Sequence, residues 1–220
     1  MKKFLAAAVL AACSMSGAVN AATSFSNSLE TTEISQTGFL DKFDSSLGTL
    51  TGVFLNWNGQ AVTTITLTNN AAQDQRLRAT STVDLSFSSN DASISAILSA
   101  ITLSMQANSG GFINLPTGGS QSFGPIADSD FANFSAGAGD AILAAFTGPG
   151  TFSVTCESLS GITLVGGGGN VVSSQETQAA CGASVEYAFS PTQVPEPGTL
   201  ALLGAMAVGA GALSRRTRKA

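Results

Sequence analysis

The stretch Thr51-Gly52-Val53-Phe54-Leu55-Asn56-Trp57-Asn58-Gly59-Gln60-Ala61-Val62-Thr63-Thr64-Ile65-Thr66-Leu67-Thr68 sets the fold class. Its apolar residues recur at every second position within short spans rich in Val, Ile, Thr and aromatic side chains, the signature of strands with one buried face. Two strands are expected, 51–57 and 61–68, joined by Asn58-Gly59, a dipeptide whose tolerance of positive φ suits a tight hairpin. In the second strand Val62, Ile65 and Leu67 all face inward only if a bulge falls near Thr63-Thr64. Trp57, beside the turn, reads either as a half-buried strand residue or as a ligand contact.

Similar short segments follow along the chain. Residues 80–87 (TSTVDLSF) alternate cleanly, placing Val83, Leu85 and Phe87 on one face. The run 94–105 (ISAILSAITLSM) fits both a short helix and a strand, and the alternation of Ile101 and Leu103 favours strand. Residues 118–125 supply a turn and a short strand, followed by 129–134. In 146–154 a Gly-Pro-Gly turn leads into a strand with Phe152 and Val154 inward, and 162–165, 171–172 and 185–189 complete the set. Strands at this spacing without intervening helices predict an all-β fold, an antiparallel two-sheet sandwich of immunoglobulin-like or jelly-roll type over residues 22–190.

Both ends of the chain read as processing segments. Lys2 and Lys3 precede an apolar stretch from Phe4 to Ala12, and Val19-Asn20-Ala21 offers small residues to a signal peptidase, so residues 1–21 are expected to be a signal peptide. A competing reading takes Leu10-Ala11-Ala12-Cys13 as a lipobox with Cys13 lipidated. At the other end Pro195-Glu196-Pro197 lies in an extended linker, 191–198. An apolar run of 15 residues from Thr199 to Leu213 follows, then Arg215, Arg216, Arg218 and Lys219. As a short hydrophobic helix within 199–220, that run reaches only about 22 Å, less than the ~30 Å hydrocarbon core. Its basic end would stay cytoplasmic. A span this marginal suits a temporary anchor.

Val-Pro-Glu-Pro-Gly, a glycine-rich apolar run and a terminal arginine cluster together resemble the PEP-CTERM sorting signal of Gram-negative bacteria. The resemblance implies that exosortase, an inner-membrane transpeptidase-like protease, recognises Pro195-Glu196-Pro197 and removes the helix and its basic tail. A second resemblance lies in Phe39 to Val53, with its Phe-Asp-x-x-Leu-Gly-Thr-Leu-x-x-Val pattern, in Phe-Thr-Gly-x-Gly-Thr at 146–151 and in Val-x-Tyr-x-Phe at 185–189. These are similar to choice-of-anchor E domains, which implies cell-surface attachment and no particular chemistry. Physically, Phe43 and Leu47 would dock a turn on the sandwich edge, and Asp44 would accept local backbone N–H groups.

Composition narrows the function. Between the two signals, Lys42, Arg76 and Arg78 face thirteen acids, a net charge of −10. That sign repels phosphate backbones and anionic lipid, so nucleic acid is not an expected partner. Cys156 and Cys181, an even pair in an oxidising compartment, are expected to form one disulfide. The chain has no histidine, which removes Ser-His-Asp catalysis and His-ligated metal. The carboxylates Asp128, Asp130 and Asp140 remain, but the Asp-Ser-Asp segment reads as a solvated loop. The calcium-loop pattern is missing. No catalytic residue, metal or cofactor is expected.

The sequence therefore predicts a non-enzymatic, exported structural or adhesive protein of the cell surface or extracellular matrix. It would be anchored transiently at the inner membrane, with signal peptidase, exosortase and a matrix exopolysaccharide as expected partners. A secreted carbohydrate-binding module is the alternative, with Trp57 as its contact. Asn133-Phe134-Ser135 is also a formal glycosylation acceptor.

Overall fold

The computed structural model of the protein describes residues 19–192. Ten strands form two antiparallel five-stranded sheets. The strands are β1 (Val19–Ser26), β2 (Glu30–Thr31), β3 (Ser35–Asp41), β4 (Gly48–Asn69), β5 (Gln75–Ser88), β6 (Leu103–Asn108), β7 (Ile113–Leu115), β8 (Ser120–Gly137), β9 (Thr151–Gly166) and β10 (Val171–Pro191). One helix, α1 (Ala92–Leu98), and a 3-10 turn at Ala141–Phe146 complete the set. The first sheet runs β1-β10-β4-β8 with β2 on β10, and the second runs β3-β9-β5-β6 with β7 on β5.

The pairing is nested: β1 with β10, β3 with β9, β4 with β8 and β5 with β6. A chain folded back on itself in this way and then rolled gains the further pairs β4–β10 and β5–β9. That connectivity is a jelly roll, two sheets packed over one core, and it decides between the two sandwich types the sequence allowed.

The core follows largely from alternation. In β4, Val53, Leu55, Trp57, Ala61, Ile65 and Leu67 are buried, as are Val83, Leu85 and Phe87 of β5 and Phe152 and Val154 of β9. Most of these residues pack between the sheets in one cluster. A smaller cluster of Ile65, Leu67, Leu77, Ala79, Ala107 and Leu115 fills one end.

Three expectations are corrected. Residues 51–68 form no hairpin: Asn58 and Gly59 lie inside one 22-residue strand, paired with Gly182 and Cys181. Neither has positive φ. Gly59 faces inward, where a Cβ would run into Leu85 Cδ1 and lie 3.4 Å from Met105 Cε. The glycine makes room for side chains of the opposite sheet rather than a turn.

The irregularity near Thr63-Thr64 exists, but the extra residue belongs to the partner strand. Thr63 and Ile65 face Ile126 and Phe123 across it, so β4 keeps its alternation, with Thr63 inward and Val62 outward.

Residues 94–105 are not one strand. Asp91 accepts from the N–H groups of Ser93 and Ile94 and starts α1, which buries Ile94 and Leu98 on one face. Only from Leu103 does the chain extend into β6.

Cys156 and Cys181 form the expected disulfide. They sit on β9 and β10, each an interior strand of its sheet, with Cα atoms 6.6 Å apart and both side chains buried. The bond therefore cross-links the two sheets through the core.

Candidate functional site

The segments 39–53, 146–151 and 185–189 meet at one end of the sandwich. Phe43 N–H donates to the Phe146 carbonyl at 2.8 Å, and Gly148 N–H donates to the Phe43 carbonyl at 3.0 Å. Tyr187 and Phe189 pack on Phe43 with ring centroids 5.8 and 5.1 Å away, and Phe146 meets Phe152 edge-on at 5.6 Å. Asp44 Oδ1 accepts from Ser46 N–H at 2.8 Å; these Ser46 hydrogen bonds hold the carboxyl below its ordinary range.

Tyr187 Oη donates to the Asp41 carbonyl at 2.7 Å. Burial, reinforced by the Asp41 charge, pushes the phenol well above its usual range and keeps it neutral. Phe43 docks as expected, whereas Leu47 stays 47% exposed. The cluster is a packing device that ties the 42–48 turn to the last strand.

The carboxylates Asp128 and Asp130 lie on β8, an edge strand, facing β6, the edge of the other sheet. Asp128 Oδ2 accepts from Gln106 N–H at 2.8 Å, and Asp130 Oδ2 accepts from Ser104 N–H at 3.1 Å. Their second oxygens accept from Ser129 and Phe131 N–H, both at 2.9 Å. The pair closes the seam between the sheets by satisfying edge donors that no strand covers. The segment is strand, not loop. Asp140 serves a nearby turn, accepting from Gly137 N–H at 2.8 Å. Among the described residues no cluster of three or more metal-ligating side chains occurs.

Trp57 is corrected as a ligand contact. It is 1% exposed in the inter-sheet core, and a ring with both faces covered cannot stack on a sugar. Its Nε1 is buried without a hydrogen-bond partner. Neighbouring residues carry what sequence reasoning missed. On the outer face of the first sheet Phe54 is 42% and Phe131 64% exposed. Phe131 is opposite Asn58, and Phe54 lies four residues along β4, so their backbone positions are about 14 Å apart. Asn56, Asn58 and Asn133 present amides between them. The outward parity of Phe54 in 51–57 was the available signal; the expected turn at Asn58-Gly59 obscured it.

Among the described residues, a groove of about 700 Å³ is lined by Thr31, Thr32, Thr64, Gln175, Glu176 and Gln178. Hydroxyls, amides and one carboxylate can hydrogen-bond a polar ligand.

Among the described residues no helix is long and apolar enough to cross a membrane. The expected tail helix at 199–213, the tripeptide Pro195-Glu196-Pro197, the basic residues Arg215, Arg216, Arg218 and Lys219, and Cys13 lie outside the described residues. β1 crosses the expected signal-peptide junction: Val19, Asn20 and Ala21 pair with Phe189, Ala188 and Tyr187, and Ala22–Ser26 continue the pairing to Gly182.

No curated protein matches the sequence. Solved structures with some similarity include a chain of the T13 IBDV viral particle, at 10% identity over 97% of this chain and 51% of that one, with a TM-score of 0.23. A mud crab tombus-like virus chain shares 10% identity over 89% of this chain and 94% of its own, with a TM-score of 0.24. A Desmodium yellow mottle tymovirus chain shares 8% identity over 89% and 99%, with a TM-score of 0.20. The chain spans about half the length of the infectious bursal disease virus chains it matches. Likeness at this level carries no argument, and the jelly-roll assignment rests on strand order alone. One family model does match: residues 193–219 are a PEP-CTERM protein-sorting motif, which implies an exported protein processed by exosortase.

Proposed function

We propose that this protein is a non-catalytic structural or adhesive component of the cell surface or extracellular matrix, released there from a temporary inner-membrane tether. The sorting motif at 193–219 is the observation that carries the reading. The body is compatible with it. Its two sheets are cross-linked by Cys156–Cys181, and its only ion pair among the described residues is Lys42–Asp91. Cohesion therefore rests on burial, backbone pairing and a covalent link that persists outside the cell. The convergence of 39–53, 146–151 and 185–189 at one end supports kinship with choice-of-anchor E domains as part of the same reading.

Replacing Pro195-Glu196-Pro197 by three alanines tests the tether. The expected outcome is full-length protein retained in the inner-membrane fraction, with loss from the surface and medium. Unchanged release by the variant would refute exosortase-dependent sorting.

The secreted carbohydrate-binding alternative is favoured by one observation, the Phe54–Phe131 face with its intervening amides. Exposed rings flanked by hydrogen-bonding groups suit the mixed apolar and polar faces of sugars.

A further inference from the structure

Arg76 and Arg78 are the two basic side chains of the described body outside the Lys42–Asp91 ion pair. They stand two residues apart on β5, both exposed on the outer face of the second sheet. Both guanidinium carbons lie over the ring of Phe112, 5.1 and 5.4 Å from its centroid, within cation–π range.

The segment presenting that ring is anchored. Ser109 N–H donates to the Ala79 carbonyl at 3.0 Å, Ala79 N–H donates to Ser109 Oγ at 2.9 Å, and Gly110 N–H donates to Asn108 Oδ1 at 3.0 Å. Gly110 takes a φ of +84°, and the ring lies over Gly166, where a Cβ would come within 3.3 Å of Phe112 Cε1. Phe112 is nevertheless 46% exposed, so it serves the arginines rather than the core.

The nearest acid in sequence, Asp74, directs Oδ1 to Thr117 N–H at 3.1 Å. Along the outer face of β5 the next acid is Asp84, six residues beyond Arg78. That is about 20 Å, more than twice the ~8 Å Debye length at physiological ionic strength.

We propose that Arg76, Arg78 and Phe112 form a binding site for carboxylate-bearing sugars, the uronate units of an acidic polysaccharide. The guanidinium forks match a planar carboxylate. Phe112 and the exposed Val165, which pairs with Arg78, offer apolar surface to a sugar ring. Thr80, Thr163 and Asn114 occupy neighbouring register positions as hydrogen-bonding residues. A nucleic acid or an anionic bilayer would need a spread of cations, and this body has two on one spot. The choice of a matrix polymer rests on the surface reading above, whereas the anion site itself does not.

The test uses the full-length protein purified in detergent, with polygalacturonate, its methyl ester and dextran as probes. The expected result is binding to polygalacturonate that weakens with added salt and is at least tenfold weaker for the ester and for dextran. R76Q/R78Q should weaken polygalacturonate binding at least tenfold, and Phe112→Leu severalfold, both with an unchanged melting temperature. Absence of polygalacturonate binding, or equal binding by R76Q/R78Q, would overturn the site. Stronger competition by inorganic phosphate than by galacturonate would overturn the ligand class. Loss of this binding in a protein that still reaches the surface would separate the site from the sorting reading.

Discussion

Asp91 shows how much one side chain can organise. It caps α1, accepting from Ser93 N–H at 3.1 Å, and pairs with Lys42 Nζ at 3.1 Å, which joins the helix to the end of β3. Burial raises its pKa, but the Lys42 hydrogen bond and the Ile94 and Ser93 amides outweigh that and hold it below its ordinary 3.8. A folded pKa below the unfolded one means that the unfolded chain binds more protons, so this stabilisation is full above about pH 4 and fades as pH falls through the lowered value. Asp91→Ala should cost about 1 kcal/mol at pH 7. Urea unfolding at pH 7 and near pH 2 should show the gap from wild type closing at the lower pH; an equal gap at both would contradict this role.

Trp57 teaches a complementary lesson. A lone tryptophan in a sequence rich in Ser, Thr, Asn and Gln invites a binding role, yet its inward parity on β4 places it in the core. The residues one step out of phase, among them Phe54, meet solvent.

At the scale of elements, the edges matter most. β6 and β8 border different sheets, and Asp128 and Asp130 close the gap between them by accepting β6 amides. Asp128→Ala/Asp130→Ala should lower stability by about 1 kcal/mol per lost closure and free a strand edge for self-association. Thermal unfolding and light scattering would reveal both effects; a monomeric variant of wild-type stability would refute the seam.

The strand with unbroken two-residue alternation, 80–87, was legible from sequence because it reads its own burial locally. Three features were not. Asn58-Gly59 has the composition of a turn, but the reason for Gly59 is a side chain of the opposite sheet, Leu85, which no local pattern records. α1 is hidden because its capping residue Asp91 precedes an apolar run that also fits a strand. The Arg76–Arg78–Phe112 grouping joins β5 to a loop some thirty residues later, a proximity only the pairing of β5 with β6 and β7 creates.

At the scale of the whole molecule, a rolled sandwich places its first and last long strands side by side. β1 pairs with β10, so the segment following the expected signal peptide lies beside the strand that leads to the sorting motif. Cleavage after Ala21 would remove three residues of β1 and leave Ala22–Ser26 in register with Glu186–Gly182. Processing at both ends would therefore leave the core intact, with Cys156–Cys181 holding the sheets together. In the chain-entropy model that bond, closing 25 residues, contributes about 3.5 kcal/mol.

Intact-mass spectrometry of the protein recovered from outside the cell tests the central claim most directly. A mass that begins after Ala21, ends within the Pro195–Pro197 region and lacks the two hydrogens of paired Cys156 and Cys181 is the predicted result. A mass that retains the tail through Ala220, with both thiols reduced, would contradict it.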